Sequence, residues 1–165
     1  MSEEKIQLFS RILLENNARM SREQDLKNLC ESEEEYETII PELVKRFTSL
    51  GISLVRTQFH GERYYVLTTP GKDDIMTPNM YATLGLLIAL YNDVGADIPF
   101  SQVQDIFKEV WGDIEALLKV NYLERTNIHE RDLLEITPLG KGAFKNVIKS
   151  LELKEFFDLS AKAEE

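Results

Sequence analysis

An internal repeat limits the folds open to this chain more than any other feature of its sequence. Residues 60–72 reappear as residues 129–141 at a constant offset of 69, and His60, Gly71 and Lys72 keep their identity. In each copy a polar turn leads into a short apolar strand, which a Pro and a Gly then end. A helix-rich stretch precedes both copies, so one supersecondary unit is predicted to occur twice.

Three helices are predicted ahead of the first copy of the repeat. Apolar residues at helical spacing predict a helix over residues 5–15. Ser21 is predicted to cap a short second helix, because acidic residues follow it in the first turn. Ser32 and Glu35 form a capping-box pattern for a third helix, which we expect to end at Gly51.

Two strands, over residues 52–55 and 64–67, are predicted to form a hairpin whose turn contains His60 and Gly61. Three helices followed by a β-hairpin are typical of a winged helix. The same order recurs after a polar linker near residues 70–78. The second copy is predicted to contain helices over residues 78–92, 100–110 and 112–120, strands over residues 121–126 and 133–137, and a final helix over residues 140–151.

The predicted fold class is therefore α+β and predominantly helical. We expect two tandem winged-helix units, each with three helices and a β-hairpin, and a C-terminal helix. The first unit is predicted to span residues 1–72 and the second unit residues 73–165. Residues 80–91 carry no charge, but they fall short of the roughly 20 apolar residues that a spanning helix needs. We expect them to form a buried helix.

The net charge of the chain limits its partners, and its cysteine content and N-terminus bear on its compartment. The net charge is −10, and acidic residues outnumber basic ones in each of the segments 1–50, 51–100 and 101–165, so a nucleic-acid backbone is not the obvious partner. The single cysteine, Cys30, rules out an internal disulfide and is expected to be a partly buried thiol in a reducing compartment. The acidic N-terminus does not resemble a signal peptide, which predicts a cytoplasmic protein.

The sequence shows no pattern that is typical of an enzyme. Its two histidines, His60 and His129, both fall in predicted hairpin turns, where a solvated role is expected. Neither has the further Cys, His or carboxylate ligands that a metal site needs. Phosphate-binding and nucleophile motifs do not occur. We therefore expect no catalysis and no cofactor.

A DNA-binding transcriptional regulator is the alternative function, since helix-turn-helix proteins insert a recognition helix into the major groove. That helix would begin with Glu33, Glu34 and Glu35 in the first unit and would carry Asp113 and Glu115 in the second. Carboxylates at these positions argue against sequence-specific DNA binding. The β-hairpins of the two units are their wings. Weak contact with phosphates could come only from basic residues on the wings and the last helix, namely Arg56, Arg63, Arg125, Arg131, Lys141, Lys145 and Lys149.

Protein partners are predicted from two apolar helix faces. The face formed by Ile6, Phe9 and Leu13 is predicted to mediate a homodimer. The helix over residues 80–91 presents a second stripe, which is predicted to bind a partner peptide, while Leu86, Leu87 and Leu90 pack internally. This stripe consists of Tyr81, Leu84, Ile88 and Tyr91. Alternatively, the hairpin and the last helix cover the stripe within the chain.

These patterns resemble the kleisin-interacting tandem winged-helix proteins. The segments that carry the resemblance are residues 33–36, 51–55 and 61–68 in the first unit and residues 81–91 and 114–123 in the second. They are most similar to the segregation and condensation protein B family, and a MAGE-like relationship fits the second unit nearly as well.

The resemblance implies a non-catalytic accessory subunit of a chromosome-organising complex built on a structural-maintenance-of-chromosomes (SMC) ATPase. Such a subunit would form a homodimer and bind the central part of the kleisin chain. It would be cytoplasmic and associated with the nucleoid. The resemblance assigns no functional residue by motif, so the candidate interface residues come from periodicity alone.

Overall fold

The computed structural model describes residues 3–69 and 75–150, with side chains up to residue 145. We refer to these two ranges as the first half and the second half. The fold is mixed α and β, and most of the described residues are helical. The first half contains α1 (Glu3–Glu15), β1 (Met20–Arg22), α2 (Glu23–Lys27), α3 (Glu33–Ser49), β2 (Ser53–Phe59) and β3 (Glu62–Thr68).

The second half repeats this order with a shorter third helix. It contains α4 (Pro78–Val94), α5 (Phe100–Ile106), a 3-10 turn (Lys108–Val110), α6 (Trp111–Lys119), β4 (Leu123–Ile128), β5 (Arg131–Ile136) and α7 (Pro138–Ser150). All the predicted helices and strands are present, with ends that differ by a few residues. The arrangement is compatible with two winged-helix units.

The strands form two antiparallel sheets. In the first half the order is β1-β3-β2, and β2 pairs with β3 from Ser53↔Thr68 to Phe59↔Glu62. In the second half β4 pairs with β5. A single bridge between Pro99 and Leu133 occupies the position that β1 has in the first half. Within the described ranges the two sheets remain separate.

The two hairpin turns share one backbone geometry. His60 and Gly61 have φ values of 49° and 76°, and the equivalent His129 and Glu130 have values of 50° and 63°. Positive φ at both central residues is what a type I′ turn requires, and this turn matches the twist of the paired strands. The repeat in the sequence is therefore a repeat of the same turn in the structure.

Local hydrogen bonds fix the ends of α3. The Ser32 hydroxyl accepts a bond from the Glu35 N–H at 3.2 Å, and the Glu35 carboxylate accepts one from the Glu31 N–H at 2.8 Å. After the helix, Gly51 has a φ of 73° and the Ile52 N–H donates to the carbonyl of Phe47 at 2.8 Å. The predicted cap and the predicted stop are both confirmed.

The prediction that Ser21 caps α2 is wrong. Ser21 lies in β1 opposite Tyr65, and its hydroxyl accepts a bond from Asn16 Nδ2 at 3.1 Å. The helix begins two residues later, at Glu23. A three-residue strand is too short to show the alternation of apolar and polar residues that reveals a strand in a sequence.

The face predicted to mediate a homodimer is part of the core of the first half. Ile6, Phe9 and Leu13 are 1%, 0% and 5% exposed, because α1 packs this face against α3 and β3. These side chains are therefore not available to a second copy of the chain. Leu86 is also misassigned, since it was predicted to pack internally but is 61% exposed.

The two halves share part of their packing. Val66 of β3 and the half-buried Met20 belong to the same apolar cluster as the core of the second half. Helix α7 lies against β2 and β3, and Gly142 allows a close approach, because a Cβ there would lie 3.4 Å from Val66 Cγ1. The last helix thus joins the second half to the sheet of the first. Among the described helices, none is both long enough and apolar enough to cross a membrane.

Candidate functional site: a groove between the two halves

A groove of about 610 Å³ lies where the two halves meet. Its walls come from the end of β2 and its turn, the C-terminal end of α4, β5 and the first turns of α7. We call it the inter-half groove. Its lining residues are Thr57, Gln58, Phe59, His60, Ile88, Tyr91, Asn92, Ala96, Glu135, Ile136, Lys141, Phe144 and Lys145.

The floor of the inter-half groove is apolar. Helix α4 contributes Ile88 and Tyr91, which are half-buried, and α7 contributes Phe144. The Phe144 ring packs directly over Gly85, where a Cβ would lie 2.9 Å from the ring. Gly85 therefore sets how closely α7 approaches α4, and with it the width of the groove.

Polar contacts join the halves along the wall of this groove. His60 Nε2 lies 3.0 Å from Glu135 Oε2, and Thr126 donates to the same carboxylate oxygen at 2.6 Å. Lys141 Nζ donates to the carbonyl of Gln58 at 2.8 Å. Burial lowers the pKa of Lys141, although the charge of Glu135 acts in the opposite direction. These contacts hold the first hairpin against the second half.

The stripe predicted on α4 divides between the core and the groove. Leu84 is fully buried, and Tyr81 is half-buried against the core of the second half. Ile88 and Tyr91 line the inter-half groove. The Tyr91 hydroxyl donates to the carbonyl of Leu134, and burial raises the pKa of Tyr91. Leu84 and Tyr81 are therefore covered within the chain, whereas partner binding by Ile88 and Tyr91 stays a prediction.

In the first half, the arginines predicted to contact DNA are engaged within the chain. Glu23 is 5% exposed and accepts bonds from Arg56 Nη2 at 2.7 and 2.9 Å, while Arg63 lies 3.9 Å away. Tyr36 also donates to Glu23 at 2.9 Å, and its oxygen lies 2.8 Å from that of Tyr65. Hydrogen bonding to Glu23 raises the pKa of Arg56. This arginine stabilises the fold rather than facing a phosphate.

The basic residues of the second half are dispersed. Arg125 pairs with Asp132, and Lys141 is bound to Gln58 in the inter-half groove. Arg131 and Lys145 are exposed, whereas the side chain of Lys149 lies outside the described residues. Among the described members of the predicted set, Arg56, Arg63, Arg125 and Lys141 are therefore engaged within the chain.

Sequence reasoning missed several groove residues, including Phe59, Glu135 and Phe144. They lie on three elements of the chain and meet only through tertiary packing. The Lys141–Gln58 contact, for example, spans 83 residues. His60 is an exposed turn residue, as predicted, and its ring also lies 3.0 Å from Glu135 across the interface. Within the described ranges, no group of three or more His, Cys, Asp or Glu side chains could hold a metal ion.

No protein-family model matches this sequence, and no curated protein matches it. The structure is similar to one chain of the solved Nse1-Nse3-Nse4 complex, with a TM-score of 0.54 and 12% sequence identity. The match covers 84% of this chain and 70% of that chain. At this identity the likeness concerns the fold.

Proposed function

We propose that this protein is a tandem winged-helix, non-catalytic accessory subunit of an SMC–kleisin chromosome complex. The observation that carries the proposal is the fold likeness to a chain of the Nse1-Nse3-Nse4 complex over 84% of this chain. That protein is part of an assembly of several chains, and the sequence patterns described above resemble kleisin-interacting proteins. In this function the chain binds a kleisin segment and is associated with chromosomes.

The inter-half groove is the proposed binding site for the kleisin segment. Its floor is apolar, and Lys141 and Lys145 stand at its edge in a chain whose net charge is −10. An amphipathic helix could place apolar side chains on Ile88 and Tyr91 and acidic side chains beside the lysines. Such an arrangement combines apolar burial in the centre of an interface with charge contacts at its rim.

A DNA-binding regulator is less well supported. The exposed start of α3 carries Glu33 and Glu34, whose carboxylates would face the phosphates. On the first wing, Arg56 is already bound to Glu23. Homodimerisation stays a prediction that requires a surface other than the core face of α1. Light scattering at tens of micromolar would detect it as a doubled mass.

The proposed function is tested by purifying the chain with its partners from its native host. A tagged copy at natural abundance would be isolated under mild conditions after nuclease treatment, and the co-purifying proteins would be identified by mass spectrometry. We expect a kleisin-like protein together with an SMC ATPase. Recovery of the chain alone, or only with transcription proteins, would contradict the proposal.

A further inference from the structure

A second groove lies on the second half and shares no lining residue with the inter-half groove. It has a volume of about 810 Å³ and is formed by α5, α6 and the β4–β5 hairpin. We call it the wing groove. Phe100 and Trp111 meet edge to face in its wall, with ring centroids 5.4 Å apart and an angle of 88° between the planes. Both side chains are half-buried and line the groove.

Arg125 helps to shape this groove. Its guanidinium lies 4.2 Å from the centroid of the Phe100 ring and is held there by an ion pair with Asp132. The equivalent arginine of the first half, Arg56, instead binds the buried Glu23. In the second half Phe100 occupies the position of Glu23, since Pro99 pairs with Leu133 as Arg22 pairs with Tyr64, so Arg125 lies on an aromatic ring where Arg56 binds a carboxylate.

The charge of the wing groove suits a basic ligand. Its lining contains four carboxylates and two guanidinium groups, a net charge of −2. Asp97, Glu115 and Glu130 are exposed, and no ion pair among the described residues involves them. Glu130 holds its φ of 63° at a turn position that Gly61 occupies in the first half. Glu130 thus places a carboxylate at the rim of the wing groove, although an L-residue is strained at positive φ.

We propose that the wing groove binds a basic, extended peptide segment of a partner protein. The alkyl stems of its lysine or arginine side chains lie along Trp111, because Arg125 already covers a face of the Phe100 ring, and their charged ends reach the carboxylates at the rim. A partly exposed tryptophan beside charged groups is a common anchor of protein interfaces. This site is separate from the inter-half groove and does not depend on the identity of the partner bound there.

Binding at this site can be followed by intrinsic fluorescence, because Trp111 is the single tryptophan of the chain. The fluorescence of the purified protein would be followed during titration with a decapeptide in which arginine alternates with leucine and serine. A matched peptide carries glutamate in place of arginine. We expect a saturable change with the basic peptide and none with the acidic peptide at the same concentrations.

Two matched double variants test whether the basic peptide binds in the wing groove. The double variant Glu115→Gln and Glu130→Gln should weaken binding of the basic peptide about fivefold, since each exposed charge pair contributes modestly. The control variant Glu4→Gln and Glu37→Gln, which changes exposed acids of the first half, should bind like the wild type. Circular dichroism would confirm that both variants are folded, and Asp97→Asn offers a second test if the double variant is not.

Three results would overturn the proposal. The basic peptide could fail to give a saturable change at millimolar concentration. The acidic peptide could bind as tightly as the basic one. The groove variant and the control variant could bind equally, which would mean that the attraction is a property of the whole acidic surface.

Discussion

The two halves place different chemistry at the same structural position. In the first half, Glu23 is buried and joins Arg56, Tyr36 and Tyr65 in a polar network. In the second half Pro99 pairs with Leu133 as Arg22 pairs with Tyr64, so the equivalents of Glu23 and Tyr65 are Phe100 and Leu134, and both are apolar. The arginine is the same in both halves, as Arg56 in the first and Arg125 in the second.

This difference shows how one repeated unit can serve two purposes. The first wing is tied to its helices by charge-assisted hydrogen bonds, which are strong and directional. The second wing rests on an apolar core, and its arginine is left at the surface of an aromatic groove. The wing groove is formed by the second half alone, whereas the first half contributes the end of β2 and its turn to the inter-half groove.

The largest effect is expected from burying a carboxylate in the second half without the partners that Glu23 has in the first. Val103→Glu places a charge at a site that is 0% exposed and that the equally buried Leu26 occupies in the first half. The free energy of unfolding should fall by about 4 kcal/mol, as for a buried charge without its partner. Urea denaturation would measure it. A loss below about 1 kcal/mol would mean that Arg125 turns inward and pairs with the new carboxylate.

A smaller loss of stability is expected from Glu23→Gln in the first half. The amide keeps the shape of the side chain but loses the charge that binds Arg56 and Arg63. The free energy of unfolding should decrease by about 2 kcal/mol. The control Glu62→Gln removes an exposed carboxylate that pairs with Arg22, and it should change stability by less than about 0.5 kcal/mol. Equal effects of the two variants would contradict the structural role of the network.

The network also predicts a dependence of stability on pH. Burial alone would raise the pKa of Glu23, but hydrogen bonds from Arg56 and Tyr36 outweigh it and lower the pKa. The unfolded chain therefore takes up this proton at a higher pH than the folded chain does. The stabilisation is complete above the ordinary glutamate pKa of about 4.3 and is lost as the pH falls through the folded value.

Comparing wild type with Glu23→Gln isolates this contribution. The difference in their free energies of unfolding should stay constant near neutral pH and shrink once the pH falls below about 5. Denaturant titrations at several pH values would measure the difference. A difference that grows on acidification would contradict the assignment.

The smallest effect concerns the two hairpin turns. Glu130→Gly should stabilise the protein by about 1 kcal/mol, because glycine adopts positive φ without strain. Glu130→Ala removes the carboxylate but keeps the strained backbone, so it should give no such gain. If glycine and alanine at this position gave equal melting temperatures, the strain assigned to the turn would be wrong.

Local sequence signals predicted the elements well and their contacts poorly. The positions of Ser32 and Gly51 were sufficient to locate the ends of α3, because a cap and a stop are decided by neighbouring residues. Apolar spacing identified Ile6 and Leu84 as members of apolar faces. It could not show that these faces meet the protein's own core rather than a partner, since periodicity does not identify what covers a face.

The candidate site depended on contacts that no local pattern contains. Phe59 and Phe144 line the same groove between the halves because α7 folds back onto β2 and β3. The pairing of Arg56 with Glu23 was missed for the same reason, since these residues are separated by 33 positions. Of the predicted stripe, only Ile88 and Tyr91 reach the groove.

The central claim is that the inter-half groove binds the partner segment. Ala96 lines this groove, whereas Ala89 lies on the exposed side of α4, and both are exposed. Ala96→Phe and Ala89→Phe therefore add the same volume inside and outside the site. The direct measurement is the amount of kleisin-like protein that co-purifies with each variant at equal expression. We expect Ala96→Phe to lose most of it while Ala89→Phe recovers as much as the wild type, and equal recovery by both variants would contradict the claim.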